Sequence, residues 1–170
     1  ALEDKPVVAL LAGSRKQEIT ANLSVMIEAM RNFPQYQPVI AGAPGIDKDF
    51  YAPYLASGVP VVYGKTYDLL NNSHAALVTS GTATLETALI GVPELVVYGI
   101  PWLYEKVKPY LLKIPFVSLV NINMNREVVR EMVVYKPSVD EAERELRALL
   151  PGGEKREKML KDFDELRTLI

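Results

Sequence analysis

Apolar residues occur along this chain in short continuous runs separated by amphipathic stretches. Val7–Ala12 (VVALLA) is such a run, β-branched at its start, as expected for a strand covered on both faces. From Glu18 to Arg31, the residues Ile19, Leu23, Met26, Ile27 and Met30 fall at offsets 0, 4, 7, 8 and 11, a helical stripe. The same alternation then repeats. Strands are predicted at Gln37–Ala41, Val59–Tyr63, Ala75–Val78, Glu94–Tyr98 and Phe116–Leu119. Helices are predicted at Lys48–Ser57, Thr66–Asn71 with Thr66 as cap, within Thr79–Pro93, and at Trp102–Leu112. The last third reads as helical at Asn125–Val133, Val139–Leu150 and Glu154–Leu169. Strand and helix alternating this often predict an α/β fold of three layers, a Rossmann-like parallel sheet with helices on both faces, followed by C-terminal helices. Residues 1–150 are expected to form that unit. Residues 151–170 are expected to form a charged helix, either part of the same unit or packing toward another.

Composition narrows the partners. The chain of 170 residues has 49% hydrophobic and 24% charged residues, an ordinary globular balance, and a net charge of −2 argues against nucleic acid as a partner. With no cysteine and one histidine, thiolate zinc sites and histidine metal clusters are ruled out. No run approaches the roughly 18 apolar residues of a membrane span. The first residue is Ala and an apolar strand follows almost at once, as expected of a piece cut from a longer chain.

In open parallel sheets ligands bind beyond the carboxyl ends of the strands, so residues just after each apolar run carry the chemistry. The stretch 79–93, TSGTATLETALIGVP, follows a strand and opens a helix. Ser80, Gly81 and Thr82 either cap that helix or leave its first N–H groups to an anion such as phosphate. Glu86, one turn further on, either accepts from two vicinal hydroxyls, as on a ribose, or is a surface residue. Gly13, Ser14 and Arg15 leave the first strand; Arg15 offers phosphate a two-pronged donor, or else pairs with Glu18. Lys65, at the exit of the third strand, either reaches a phosphate or is a surface lysine, the latter favoured. Asn121, Asn123, Asn125 and Arg126 follow the expected last strand, where amides suit sugar hydroxyls or a base edge and also suit turns. Trp102–Leu112 offers either a lipid-touching face or packing surface. Asp162-Phe163-Asp164 lies in a charged helix without a preceding strand, so it is discounted as a metal motif.

Three of these segments together resemble one family. Leu10–Ile19 (LLAGSRKQEI), Ser80–Leu89 (SGTATLETAL) through Pro93, and Ser118–Asn121 with Asn125–Val129 are similar, in order and spacing, to the C-terminal half of lipid-A-disaccharide synthases, and the similarity runs from about Val8 to Leu150. Ala12, Val120 and Arg130 stand where that family usually has Pro, which changes loop stiffness more than chemistry. The resemblance implies one half of a GT-B glycosyltransferase, a UDP-sugar-binding domain. It implies transfer of 2,3-diacylglucosamine from its UDP donor to 2,3-diacylglucosamine 1-phosphate, releasing UDP, without metal or other cofactor. Carried over, Ser14, Arg15 and the Ser80–Gly81–Thr82 turn hold the diphosphate, Glu86 the ribose, and Asn121 with Arg126 the neighbouring nucleotide or sugar. The implied partners are the donor, UDP and an N-terminal half of the same polypeptide that holds the acceptor site and the catalytic carboxylate. The implied location is the cytoplasm, with peripheral contact at the cytoplasmic face of the inner membrane. The isolated chain is expected to bind UDP weakly and not to transfer sugar. Two other readings stay open: another UDP-GlcNAc-using GT-B protein, of the peptidoglycan-transferase or 2-epimerase type, and a non-catalytic nucleotide-sugar-binding module.

Overall fold

The computed structural model describes residues 5–79, 81–100 and 116–170. Within them, β1 (Val7–Leu11), β2 (Gln37–Gly42), β3 (Val61–Tyr63), β4 (Ser73–Val78), β5 (Glu94–Gly99) and β6 (Glu131–Val134) form one sheet in the order β3-β2-β1-β4-β5-β6. Every neighbouring pair is parallel. The helices are α1 (Lys16–Met30), α2 (Ala52–Ala56) after a 3-10 turn at Lys48–Tyr51, α3 (Thr66–Asn71), α4 (Gly81–Ile90), α5 (Leu119–Met124), α6 (Val139–Leu149) and α7 (Arg156–Leu169).

The continuous apolar run of β1 is explained by what covers it. Val8 and Leu10 join the larger core cluster with Ile19, Leu23 and Met26 of α1. Val7, Ala9 and Leu11, on the opposite face, pack with Val39, Leu69, Leu70, Ala76 and Val78. All five β1 residues are buried, so no polar face is needed. α1 packs on α6 and β5, while α7 packs on α4 and α5. Met159, Phe163 and Leu166 of α7 belong to the larger core cluster, each worth about 1.5–3 kcal/mol of burial.

Two expectations in the last third are overturned. Phe116–Leu119 is not a strand: Ser118 is the N-cap of α5, its Oγ accepting the Asn121 N–H at 3.2 Å. The Glu131 carboxylate accepts the N–H groups of Val117 and Ser118 at 2.9 and 2.6 Å, which fixes the entry to that helix. Asn125–Val133 is not a helix either. Asn125 ends α5 in the left-handed region (φ 54°), and the EMVV run then pairs with β5 as the edge strand β6. α3 begins at Thr66 with Lys65 in the cap position and without a side-chain cap, so Thr66 does not play the role expected of it. The helix expected at Trp102–Leu112 lies outside the described residues.

Candidate functional site

The strand order reverses between β1 and β4: from β1 the chain builds outward through β2 and β3, and from β4 outward through β5 and β6. Beyond the carboxyl ends of β1 and β2 lies an open cleft of about 220 Å³. Its walls are Gly13 and Ser14 from the exit of β1, Gly42–Pro44 from the exit of β2, Thr66 at the start of α3, and Ala83 with Glu86 on α4. A crevice at a switch point is where doubly wound sheets take their ligands.

Each wall is held by identifiable contacts. Gly13 adopts φ 113°, a conformation that glycine tolerates, and a side chain there would collide with the Glu18 carboxylate. Glu18 Oε1 accepts the Ser14 N–H at 3.3 Å, and Oε2 accepts the Tyr98 O–H at 3.0 Å. Burial raises the Tyr98 phenol pKa, as do its hydrogen bond to Glu18 and the Glu18 charge, while the Arg15 charge acts in the opposite direction. The end of β4 is pinned by Thr79, whose N–H donates to the Leu11 carbonyl at 3.0 Å and whose Oγ1 donates to the Val97 carbonyl at 3.2 Å. α4 begins at Gly81, with no acidic residue in its first turn. Across the cleft, the Tyr67 O–H donates to Glu86 Oε1 at 3.3 Å, and the Glu86 charge raises the Tyr67 phenol pKa.

Of the residues singled out in the sequence, Ser14 and Glu86 face this cleft together, and Arg15 and Thr82 flank its lining by one residue each, both exposed. Gly81 opens α4, and Ser80 lies outside the described residues. Asn121 and Arg126 are not brought there. Asn121 is fully buried at the amino end of β6, the other end of the sheet. Its Oδ1 accepts the Val128 and Val129 N–H groups at 2.7 and 2.9 Å, and its Nδ2 donates to the Val129 carbonyl at 2.8 Å and to Glu131 at 3.1 Å. Arg126 pairs with Asp162 and Glu165 of α7, both at 2.8 Å. Asp162 also takes Lys158, and no group of three or more His, Cys, Asp or Glu among the described residues is placed to hold a metal ion.

Sequence reasoning missed Asn22, Tyr98 and Tyr67. Asn22 is fully buried, donating from Nδ2 to the Ala12 carbonyl at 3.1 Å and accepting the Gly99 N–H on Oδ1 at 2.9 Å. The signal was present: Asn22 stands three residues after Ile19 and one before Leu23, a polar residue inside the apolar stripe of α1. Tyr98 and Tyr67 gave no such signal, because their partners Glu18 and Glu86 are 80 and 19 residues away in the chain.

A parallel, doubly wound sheet with this strand order and helices on both faces is the architecture of one half of a GT-B glycosyltransferase. The chain superposes over 93% of its length on 39% of the Neisseria meningitidis UDP-GlcNAc 2-epimerase bound to UDP-GlcNAc, with a TM-score of 0.62 at 17% identity. It likewise superposes over 98% of its length on 32% of a Thermobaculum terrenum O-GlcNAc transferase mutant, with a TM-score of 0.62 at 14% identity. These similarities establish the fold. Residues 2–169 match the family model for lipid-A-disaccharide synthetase, and the chain belongs to that family. A lipid-A-disaccharide synthase of Syntrophus aciditrophicus is 34% identical over 176 residues, an alignment covering 99% of this chain and 46% of that protein. The chain therefore spans about half the length of the curated relative it matches. Among the described residues no helix is long and apolar enough to cross a membrane.

Proposed function

We propose that this chain is the C-terminal, donor-binding half of a lipid-A-disaccharide synthase. Its full-length protein would transfer 2,3-diacylglucosamine from the UDP donor to 2,3-diacylglucosamine 1-phosphate and release UDP. The observation that carries the reading is the convergence of Gly13 and Ser14 with Glu86 on one cleft at the switch point, in a chain of this family. In this reading the diphosphate lies against the amino end of α4, where the helix dipole and the N–H groups of the first turn favour negative charge, with Ser14 and Arg15 opposite. Glu86 accepts the ribose hydroxyls, exchanging its hydrogen bond from Tyr67 for theirs. Charge developing on the leaving diphosphate would be met by these fixed donors and the Arg15 guanidinium. Asn121 and Arg126 stay outside the site. The cleft is open, and in this reading a second half encloses the sugar and supplies the acceptor site. That half would be an N-terminal part of the same polypeptide, working at the cytoplasmic face of the inner membrane.

Calorimetric titration of the chain tests this. UDP is expected to bind more tightly than ADP, and Glu86→Ala to weaken UDP about tenfold or more, the loss of a charge-assisted hydrogen bond of roughly 1.5–3 kcal/mol. Equal affinity for UDP and ADP, or an unchanged affinity in Glu86→Ala, refutes the assignment. The chain alone is expected to show no sugar transfer. Transfer by the purified chain would refute the division of labour, and a nucleotide-binding module without catalytic descent would leave the full-length protein inactive as well.

A further inference from the structure

Two side chains one turn apart on the inner face of α1 join the exit of β1 to the exit of β5. Asn22 holds the backbone at both ends, taking the Ala12 carbonyl and the Gly99 N–H. One turn earlier, Glu18 accepts the backbone N–H of Ser14 on Oε1 and the side-chain O–H of Tyr98 on Oε2. The space that its carboxylate fills is left by the missing side chain of Gly13. Glu18 is half-buried in the first turn of α1, directly behind the turn proposed to receive an anion, where its oxygens can accept backbone N–H groups ahead of the helix. The Tyr98 phenol is influenced by Glu18 and Arg15 together, which places the Arg15 charge in the same neighbourhood as the carboxylate.

We propose that Glu18, oriented by Tyr98, is a positioning residue for the anion-binding turn: it fixes the Ser14 N–H and the course of the chain into Arg15, so that the turn is preformed before a nucleotide diphosphate arrives. This inference rests on the nucleotide reading of the cleft. Preforming matters because ordering a loop on binding takes affinity away from the contacts made.

The test is titration of UDP into wild type, Glu18→Ala, Glu18→Gln, Tyr98→Phe and Glu86→Ala, with thermal melting of each. Glu18→Ala is expected to weaken UDP about tenfold. Glu18→Gln, whose amide can take the Ser14 N–H and donate to the Tyr98 oxygen, is expected to recover to within about threefold of wild type. Tyr98→Phe is expected to weaken UDP severalfold with the carboxylate still present. Rescue by Gln at an unchanged melting temperature is the signature of positioning, and should Glu18→Ala fail to fold, the Gln and Phe variants carry the test. If Glu86→Ala weakens UDP while Glu18→Ala and Tyr98→Phe leave it unchanged, the positioning role is refuted and the nucleotide reading stands. Weakening that only tracks a fall in melting temperature also refutes it. If wild type binds no UDP, the nucleotide reading fails first and takes this inference with it.

Discussion

Replacing Glu94 by Gln should flatten the pH dependence of stability. Glu94 opens β5 at the amino end of the sheet, is fully buried, and neither carboxylate oxygen has a hydrogen-bond partner among the described residues. It borders a hollow of about 240 Å³ whose other charged walls are Glu127 and Arg130 before β6, Glu145 on α6, Lys155 ahead of α7, and Lys158 and Asp162 on α7. Those six are engaged with one another or with neighbours: Arg130 with Glu127 and Glu141, Lys155 with Glu145, and Lys158 and Arg126 with Asp162. Burial therefore pushes the Glu94 carboxyl well above its ordinary pKa. In the unfolded chain the same carboxyl titrates near 4.3, so at low pH both states hold the proton and Glu94 adds no pH dependence. As pH rises past that value the unfolded state loses its proton first. Stability then falls by about 1.4 kcal/mol per pH unit until the folded carboxyl itself ionises, after which the loss levels off. For a chain of this size that slope is roughly 3–6 °C of melting temperature per unit. Other groups titrate too, so the quantity to measure is the difference between wild type and Glu94→Gln in urea or thermal unfolding from pH 5 to 8. It should widen with pH in favour of Gln, and Glu94→Leu should show the same trend. A difference that stays flat across that range would mean Glu94 is ionised and paired in solution, and the burial argument would fail.

Gly13→Ala should destabilise the chain by about 1–3 kcal/mol and weaken UDP, since φ 113° is strained for alanine and its methyl meets the Glu18 carboxylate; denaturant unfolding and UDP titration check both. Phe163→Ala should cost about 3–5 kcal/mol in the same unfolding assay, because its ring is fully buried where α7 meets the core. Asn121→Ala should be destabilising by about 2–4 kcal/mol, leaving two backbone N–H groups and a carbonyl without partners, yet the folded fraction should bind UDP as wild type does. A selective loss of UDP affinity in that variant would return Asn121 to the binding site.

Most of the first hundred residues were legible because β1, β2, β4 and β5 are central strands and announce themselves twice, β3 alone lying at the edge. β1 and β4 are apolar on both faces, and α1 carries a stripe with one polar interruption. Turn chemistry reinforced the pattern at Gly13, where positive φ is required, and at Gly91, which ends α4 at φ 95°. Nothing local distinguished Phe116–Leu119 from a buried strand, because periodicity cannot separate a short apolar run in a strand from one in a helix. What decided it were contacts from further along: the Glu131 carboxylate, more than ten residues away, takes the N–H groups that a strand would have used in pairing.

The same mistake moved Asn121 and Arg126 to the wrong end of the molecule. In a parallel sheet the end a residue joins depends only on whether it follows a strand or precedes one. If 116–119 were a strand, Asn121 would follow it and stand at the carboxyl end beside Glu86. Because the next strand is β6, Asn121 precedes it and stands at the amino end, where a fully buried amide satisfies four backbone and side-chain partners and has no capacity left for a sugar. Arg126 follows from this placement. At the amino end it meets α7, where Asp162 and Glu165 supply its counter-charges, so its guanidinium ties the last helix to the sheet instead of gripping a phosphate. Ser14 and Glu86 did not depend on that assignment, since β1 and β4 were placed by their own sequences, and those are the residues on which the proposed site rests.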